Sequence, residues 1–170
     1  MFPADIMPRF ETAFALAILH GGLEELDYQR PEGQSYNPAP ARIAQIAIND
    51  AQRKDPNTIV ASLLVFVSEG LTQEVVAANF NSSVADLYAA CCKGPQPLLL
   101  TTNIEANILL ACAWLDRLRH LHLAPESNKA ALHDAAIGQT DEYIQLVRGH
   151  ADSLVVLLEA WKTRASNRRS

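Results

Sequence analysis

The sequence predicts an all-α protein, a compact single-domain bundle of about eight helices. Apolar residues recur at helical spacing along most of the chain, and no alternating strand pattern persists. Capping and stop residues fall between the periodic segments. The 170 residues, 49% of them hydrophobic and 19% charged, suffice for one sizeable core and are short for two domains.

A first helix is expected from Arg9 to Leu26, with Phe10, Phe14, Ala17, Ile18 and Gly21 along one face. The stretch from Tyr28 to Pro40, broken by Pro31, Gly33 and Pro38, has no periodic pattern. Irregular segments of that length in a small domain are often functional. A second helix follows from Pro40 to Lys54: Pro40 suits the first turn, and Ile43, Ile46 and Ala47 share an inward face. Asp55 and Pro56 supply the cap and first position of a third helix, closed by Gly70 after Glu69. Its interior, Ile59 to Val67, is apolar nearly all round, which marks a helix in the middle of the domain.

Shorter helices are expected from Thr72 to Asn79, and from Ser82 or Ser83 to Lys93-Gly94. Beyond the break at Pro95 to Pro97, Thr102 and Glu105 form a capping-box pattern for a long helix ending near Leu123. Pro125 to Ile137 reads as a further helix stopped by Gly138. The last runs from Thr140 to Ala165, with Asp141 and Glu142 in the first turn, where the helix dipole favours them. Residues 166–170 are a tail.

The formal net charge of -5 argues against a nucleic-acid partner. The basic residues at the end, Arg164, Arg168 and Arg169, read as a solvated terminus. Cys91, Cys92 and Cys112 lack the spacing of a disulfide framework or a zinc site, and fit buried thiols in a reducing cytosol. The run Ala13 to Leu19 lacks the basic flank of a signal peptide, since Asp5 and Glu11 stand there instead. No stretch reaches the roughly 20 apolar residues that span a bilayer. The expected location is cytoplasmic.

Read from the residues alone, no chemical motif is strong. His133-Asp134 is either a metal half-site or a surface pair. Asp116 and His120 stand at i and i+4 on one helix face, as metal ligands or as a simple pair with Arg119 nearby.

Four segments in order resemble the hydrolase domain of the RelA/SpoT alarmone enzymes, a branch of the HD superfamily, over about residues 10–123. Gly33-Gln-Ser-Tyr-Asn-Pro-Ala-Pro-Ala-Arg-Ile-Ala44 resembles Gly-Glu-Pro-Tyr-x-x-His-Pro-x-x-Val-Ala. Asp55-Pro-Asn-Thr-Ile-Val-Ala-Ser-Leu-Leu64 resembles the segment that runs straight into His-Asp-x-x-Glu-Asp in that family. Asn79-Phe-Asn-Ser-Ser-Val-Ala-Asp-Leu87 resembles Phe-Gly-x-x-Val-Ala-x-Leu. Trp114-Leu-Asp-Arg-Leu-Arg-His-Leu121 resembles Leu-Ala-Asp-Arg-Leu-x-Asn-Leu.

The resemblance implies an HD-type fold, continued by C-terminal helices over residues 124–165, and a manganese site. There a cation lowers the pKa of a bound water for attack on a phosphate ester. The ligand positions fall on Ala39, Val65, Phe66 and Asp116, and only Asp116 can donate a lone pair. Glu69 remains of the acidic pair, with Gly70 in place of its partner. On the first helix His20 and Gly22 match, but the phosphate-facing basic positions hold Glu25 and Leu26. Glu25 disfavours a nucleotide ligand. His120 replaces an Asn.

These departures lead to an expectation of no metal cofactor and of a pseudo-hydrolase serving as a binding or regulatory protein. Val65 and Phe66 then extend the core, and Asp116 pairs with Arg42 or Arg117 or caps a backbone donor. A protein partner, a homodimer through Leu154 to Trp161, or an uncharged ligand fits that role. The alternative is a (pyro)phosphohydrolase whose metal-free acid–base site gathers His20, Glu69, Asp116 and His120. A weaker variant has His133 and Asp134 join Asp116 and His120 around a metal. With the chain ending at Ser170, no alarmone-synthetase segment is expected.

Overall fold

The computed structural model describes residues 6–20, 39–65, 67, 70–91, 103–123 and 126–167. Among these there is no strand. Eight α-helices follow in order: α1 (Ile6–Leu19), α2 (Ala39–Asn49), α3 (Pro56–Ser62), α4 (Gln73–Asn79), α5 (Ser82–Cys91), α6 (Ile104–His120), α7 (Glu126–Val147) and α8 (Asp152–Asn167). A 3₁₀ turn, Leu121–Leu123, extends α6. None of the helices is long and apolar enough to cross a membrane. The all-α class expected from the sequence is the one observed.

The organising element is α6, which packs against α2, α3, α5, α7 and α8. Its apolar positions run nearly round the helix, and Ile108, Leu109, Ala111 and Cys112 have no exposure at all. Side chains from every neighbour close over it: Ile43 and Ala47 of α2, Val60 of α3, Val84 of α5, Ile144 of α7, and Leu154 and Leu158 of α8. Polar groups inside this core are matched. Trp114 Nε1 donates to Thr140 Oγ1 at 3.1 Å, and Trp161 Nε1 donates to the Leu118 carbonyl, tying α7 and α8 to α6. Cys91 and Cys112 are buried free thiols, while Cys92 lies outside the described residues.

Local chemistry explains most helix starts. The Asp55 carboxylate accepts the Thr58 N–H at 2.8 Å with Pro56 at the first position, as the sequence indicates. Thr72 caps α4 and Asn81 caps α5 in the same way. For α6 the cap is Asn103, whose side chain accepts from Ala106 N, and not the expected Thr102, which lies outside the described residues. Glu105 is drawn away from a capping box because Arg53 Nη1 binds it at 3.0 Å.

Helix ends depart further from expectation. The third helix was expected to reach Gly70, but α3 stops at Ser62. Leu63 and Leu64 donate to the carbonyls three residues back, and the Ser62 hydroxyl binds the Ile59 carbonyl. The segment stays buried through Val65 and Val67 nonetheless. The α2 helix ends at Asn49, short of Lys54, where the backbone folds over and Gln52 takes a positive φ. In α1, which starts at Ile6 and not Arg9, Ala13 and Ala17 face inward while Ile18 is exposed. Gly21, Glu25 and Leu26 lie outside the described residues.

The C-terminal third holds the largest correction. Gly138 was expected to stop a helix, yet α7 passes straight through it to Val147. An exposed mid-helix glycine costs only about 1 kcal/mol, which its helical neighbours outweigh. The break comes instead at Gly149, whose φ of +79° is the left-handed geometry that favours glycine. Residues 140–147, expected at the start of the last helix, therefore end α7, and α8 begins at Asp152.

Candidate functional site

Two of the residues singled out by the sequence, Asp116 and His120, meet where α6 packs against α2. Asp116 sits on the inward face of α6 with 3% of its side chain exposed. A carboxylate that deep needs a counter-charge. Arg42 supplies it from one turn inside α2: Nε binds Oδ1 at 2.7 Å and Nη2 binds Oδ2 at 2.9 Å. This is the bidentate fork-to-carboxylate geometry that makes Arg–Asp pairs directional. Arg117, the other partner considered for Asp116, instead lies over the Trp114 ring at 5.7 Å.

His120 is held by the same aspartate. Its Nδ1 is 2.7 Å from the Asp116 carbonyl oxygen and 3.4 Å from Oδ1. A carbonyl only accepts, so Nδ1 carries the hydrogen, and neutral imidazole keeps its lone pair on Nε2. The expected i, i+4 relation of Asp116 and His120 is therefore a real contact. Arg119, one residue earlier, reaches away to Asp50 at 2.9 Å. A cleft of about 250 Å³ opens here, lined by Arg42, Asp116 and His120 together with Gln45, Arg119 and Asp50.

His20, another member of the expected acid–base cluster, is not among the residues that line this cleft. His20, at the end of α1, approaches Gly70: a Cβ built on Gly70 would stand 3.0 Å from His20 Nδ1. Gly70 also has φ +74°, so an aspartate there would be strained as well as crowded. Glu69 lies outside the described residues. His133 stacks on Trp161, with ring centroids 6.0 Å apart, which accounts for the ring by packing between α7 and α8.

Manganese can be tested against the donors present. Ala39 and Val65 are buried, 1% and 4% exposed, and offer no lone pair. Asp116 has both oxygens engaged by Arg42. Among the described residues no group of three or more His, Cys, Asp and Glu side chains is gathered for a metal. Phe66 lies outside them, and its phenyl ring is no ligand in any position. This donor set does not fit a divalent cation, which needs several converging oxygen or imidazole ligands.

Sequence reasoning noted Arg119 near the Asp116–His120 pair and missed Asp50, Gln45 and Asn49. Their signal was present but faint: Arg42, Gln45, Ile46 and Asn49 repeat at helical spacing down one face of α2.

No protein-family model matches the chain, and no curated protein matches its sequence. Among solved structures it resembles a metazoan ortholog of SpoT that hydrolyses ppGpp and plays a role in starvation responses. The TM-score is 0.73 at 16% identity, over 96% of this chain and 97% of that one. The two chains share an overall fold.

Proposed function

We propose that this protein is a non-catalytic binding or regulatory protein built on the HD-type hydrolase scaffold. The observation that carries the reading is the bidentate Arg42–Asp116 pair. A fixed guanidinium stands against the carboxylate that would otherwise be free to hold a cation. Ala39 and Val65, at two of the ligand positions implied by the resemblance, are buried and offer no lone pair. The single positive charge is supplied from within the chain, so the carboxylate is neutralised with no exchangeable ion.

A specific observation also favours a second reading, a (pyro)phosphohydrolase working without metal. The Asp116–His120 contact fixes the imidazole tautomer and leaves Nε2 as a base beside a cleft. His20, near Gly70, does not join that cleft.

The test is a calorimetric titration of the purified protein with the guanosine alarmone, with and without manganese, alongside an assay for released pyrophosphate. The expected result is no turnover in either condition and no manganese-dependent heat. Turnover that requires manganese overturns the proposal. Metal-independent turnover abolished by His120→Ala moves the second reading to the front.

A further inference from the structure

We propose that the cleft between α2 and α6 binds an uncharged, hydroxyl-rich small molecule, a polyol about the size of a cyclic sugar. The inference rests on the reading of the chain as a binding protein and specifies the ligand's chemistry.

Charge is the first constraint. Among the described residues two guanidinium groups and two carboxylates line the cleft, and they are paired in place: Arg42 with Asp116, Arg119 with Asp50. The formal charges of these four groups sum to zero. A phosphate on the remaining N–H groups of Arg119 would lie beside the Asp50 carboxylate, which repels it. A cation meets the mirror problem at the two arginines. An uncharged ligand disturbs neither pair.

Hydrogen-bonding capacity is the second. Gln45 and Asn49 are exposed, and their amides make no hydrogen bond to the described residues. Each offers two donor hydrogens and one acceptor oxygen. His120 adds an acceptor at Nε2, because Nδ1 is spent on the Asp116 carbonyl. Arg119 uses Nη2 on Asp50 and has further N–H groups to give. Donors and acceptors thus alternate around one small space. Hydroxyl groups match that pattern because each can donate and accept at once.

Shape is the third. A space of about 250 Å³ corresponds to about eight waters of liquid volume. Ile46 is the one aliphatic side chain in the described lining, and the widest aromatic face is the His120 imidazole. A flat nucleobase therefore has little to stack on. A compact polyol does not need it.

The test is protein-detected nuclear magnetic resonance with three probes added separately at matched ionic strength: myo-inositol, inorganic phosphate and glycine. Inositol is expected to shift the Gln45 and Asn49 side-chain amide signals and the His120 ring signals, saturating in roughly the millimolar range. His120→Ala is expected to weaken that binding about fivefold by removing one acceptor. Gln45→Ala, an exposed substitution that leaves the core untouched, should weaken it to a similar degree. Phosphate or glycine shifting these signals while inositol does not overturns the proposal, as does silence from all three. Alarmone turnover is a separate readout. Its appearance sinks the non-catalytic reading, whereas its absence with a silent inositol titration sinks only the ligand assignment.

Discussion

Two arginine–aspartate pairs join α2 and its C-terminal end to α6, and they differ chiefly in depth. Arg42 and Asp116 keep 12% and 3% of their side chains exposed, while Arg119 and Asp50 keep 42% and 25%. The inner pair has two short bonds in a fork, and the outer pair is described by one at 2.9 Å. Water competes for the outer charges and screens them, so that pair contributes little beyond local solubility. The inner pair is far less exposed to water. Each inner charge depends on the other, and losing either strands its partner in a poorly polarisable core. The lesson is that the same chemistry on the same two helices is decorative at one depth and obligatory at another.

Removing one inner partner has the largest expected effect. Arg42→Met is expected to lower unfolding free energy by about 3–5 kcal/mol, because Asp116 remains buried and unpaired. Urea denaturation checks it, and a loss under 1 kcal/mol would show that Asp116 finds water or another donor. The double variant Arg42→Met/Asp116→Leu should recover most of that loss, since an apolar pair of similar volume carries no desolvation penalty.

A smaller effect comes from Cys112, buried on α6 within reach of the outer pair. Burial first, and the Asp50 carboxylate second, push its thiol above the ordinary range. In the unfolded chain the same thiol ionises near about 8.5. The folded state therefore keeps a proton that the unfolded state gives up, and stability present below that pH is lost as pH rises through it. The expected slope is up to about 1.4 kcal/mol per pH unit. Unfolding measured from pH 8 to 10 should show a shallower decline in Cys112→Ala than in the parent. Equal slopes would mean that the thiol ionises without unfolding.

The smallest effect belongs to the outer pair. Arg119→Ala should cost about 0–1 kcal/mol, and less as salt is raised. If it costs as much as Arg42→Met, depth is not what separates the two pairs.

The sequence reveals features that are local and hides those that depend on distant partners. Asp55 and Pro56 announce a helix start because the cap, its acceptor and its target lie within three residues. The likeness of the Asp116 segment to a hydrolase motif is similarly compact. Arg42 and Asp116 are separated by 74 residues, and the sequence narrows the partner only to Arg42 or Arg117. What decides between them is that Arg117 follows Asp116 immediately and so points off the face, onto Trp114. The glycines were misread for a different reason. Gly138 and Gly149 are both exposed, and a stop depends on φ, which composition does not encode. The α3 end was missed because Ser62 looks like a helix residue until its hydroxyl is seen on the Ile59 carbonyl.

The turn between α7 and α8 has a practical consequence. Residues 148–150 are exposed, and such tips ordinarily tolerate nicking and insertion. This one is fastened to the corner after α2: Arg53 Nη2 donates to the His150 carbonyl at 3.1 Å, and the Ser153 hydroxyl binds the Asp50 carbonyl. Within the turn, Gly149 N donates to Asp152 at 2.8 Å. Anyone grafting an epitope or a fluorescent tag there would be unpicking a seam between distant parts of the chain. A Gly-Ser insertion after Gly149 should therefore lower the melting temperature, although every residue it displaces lies in view of solvent.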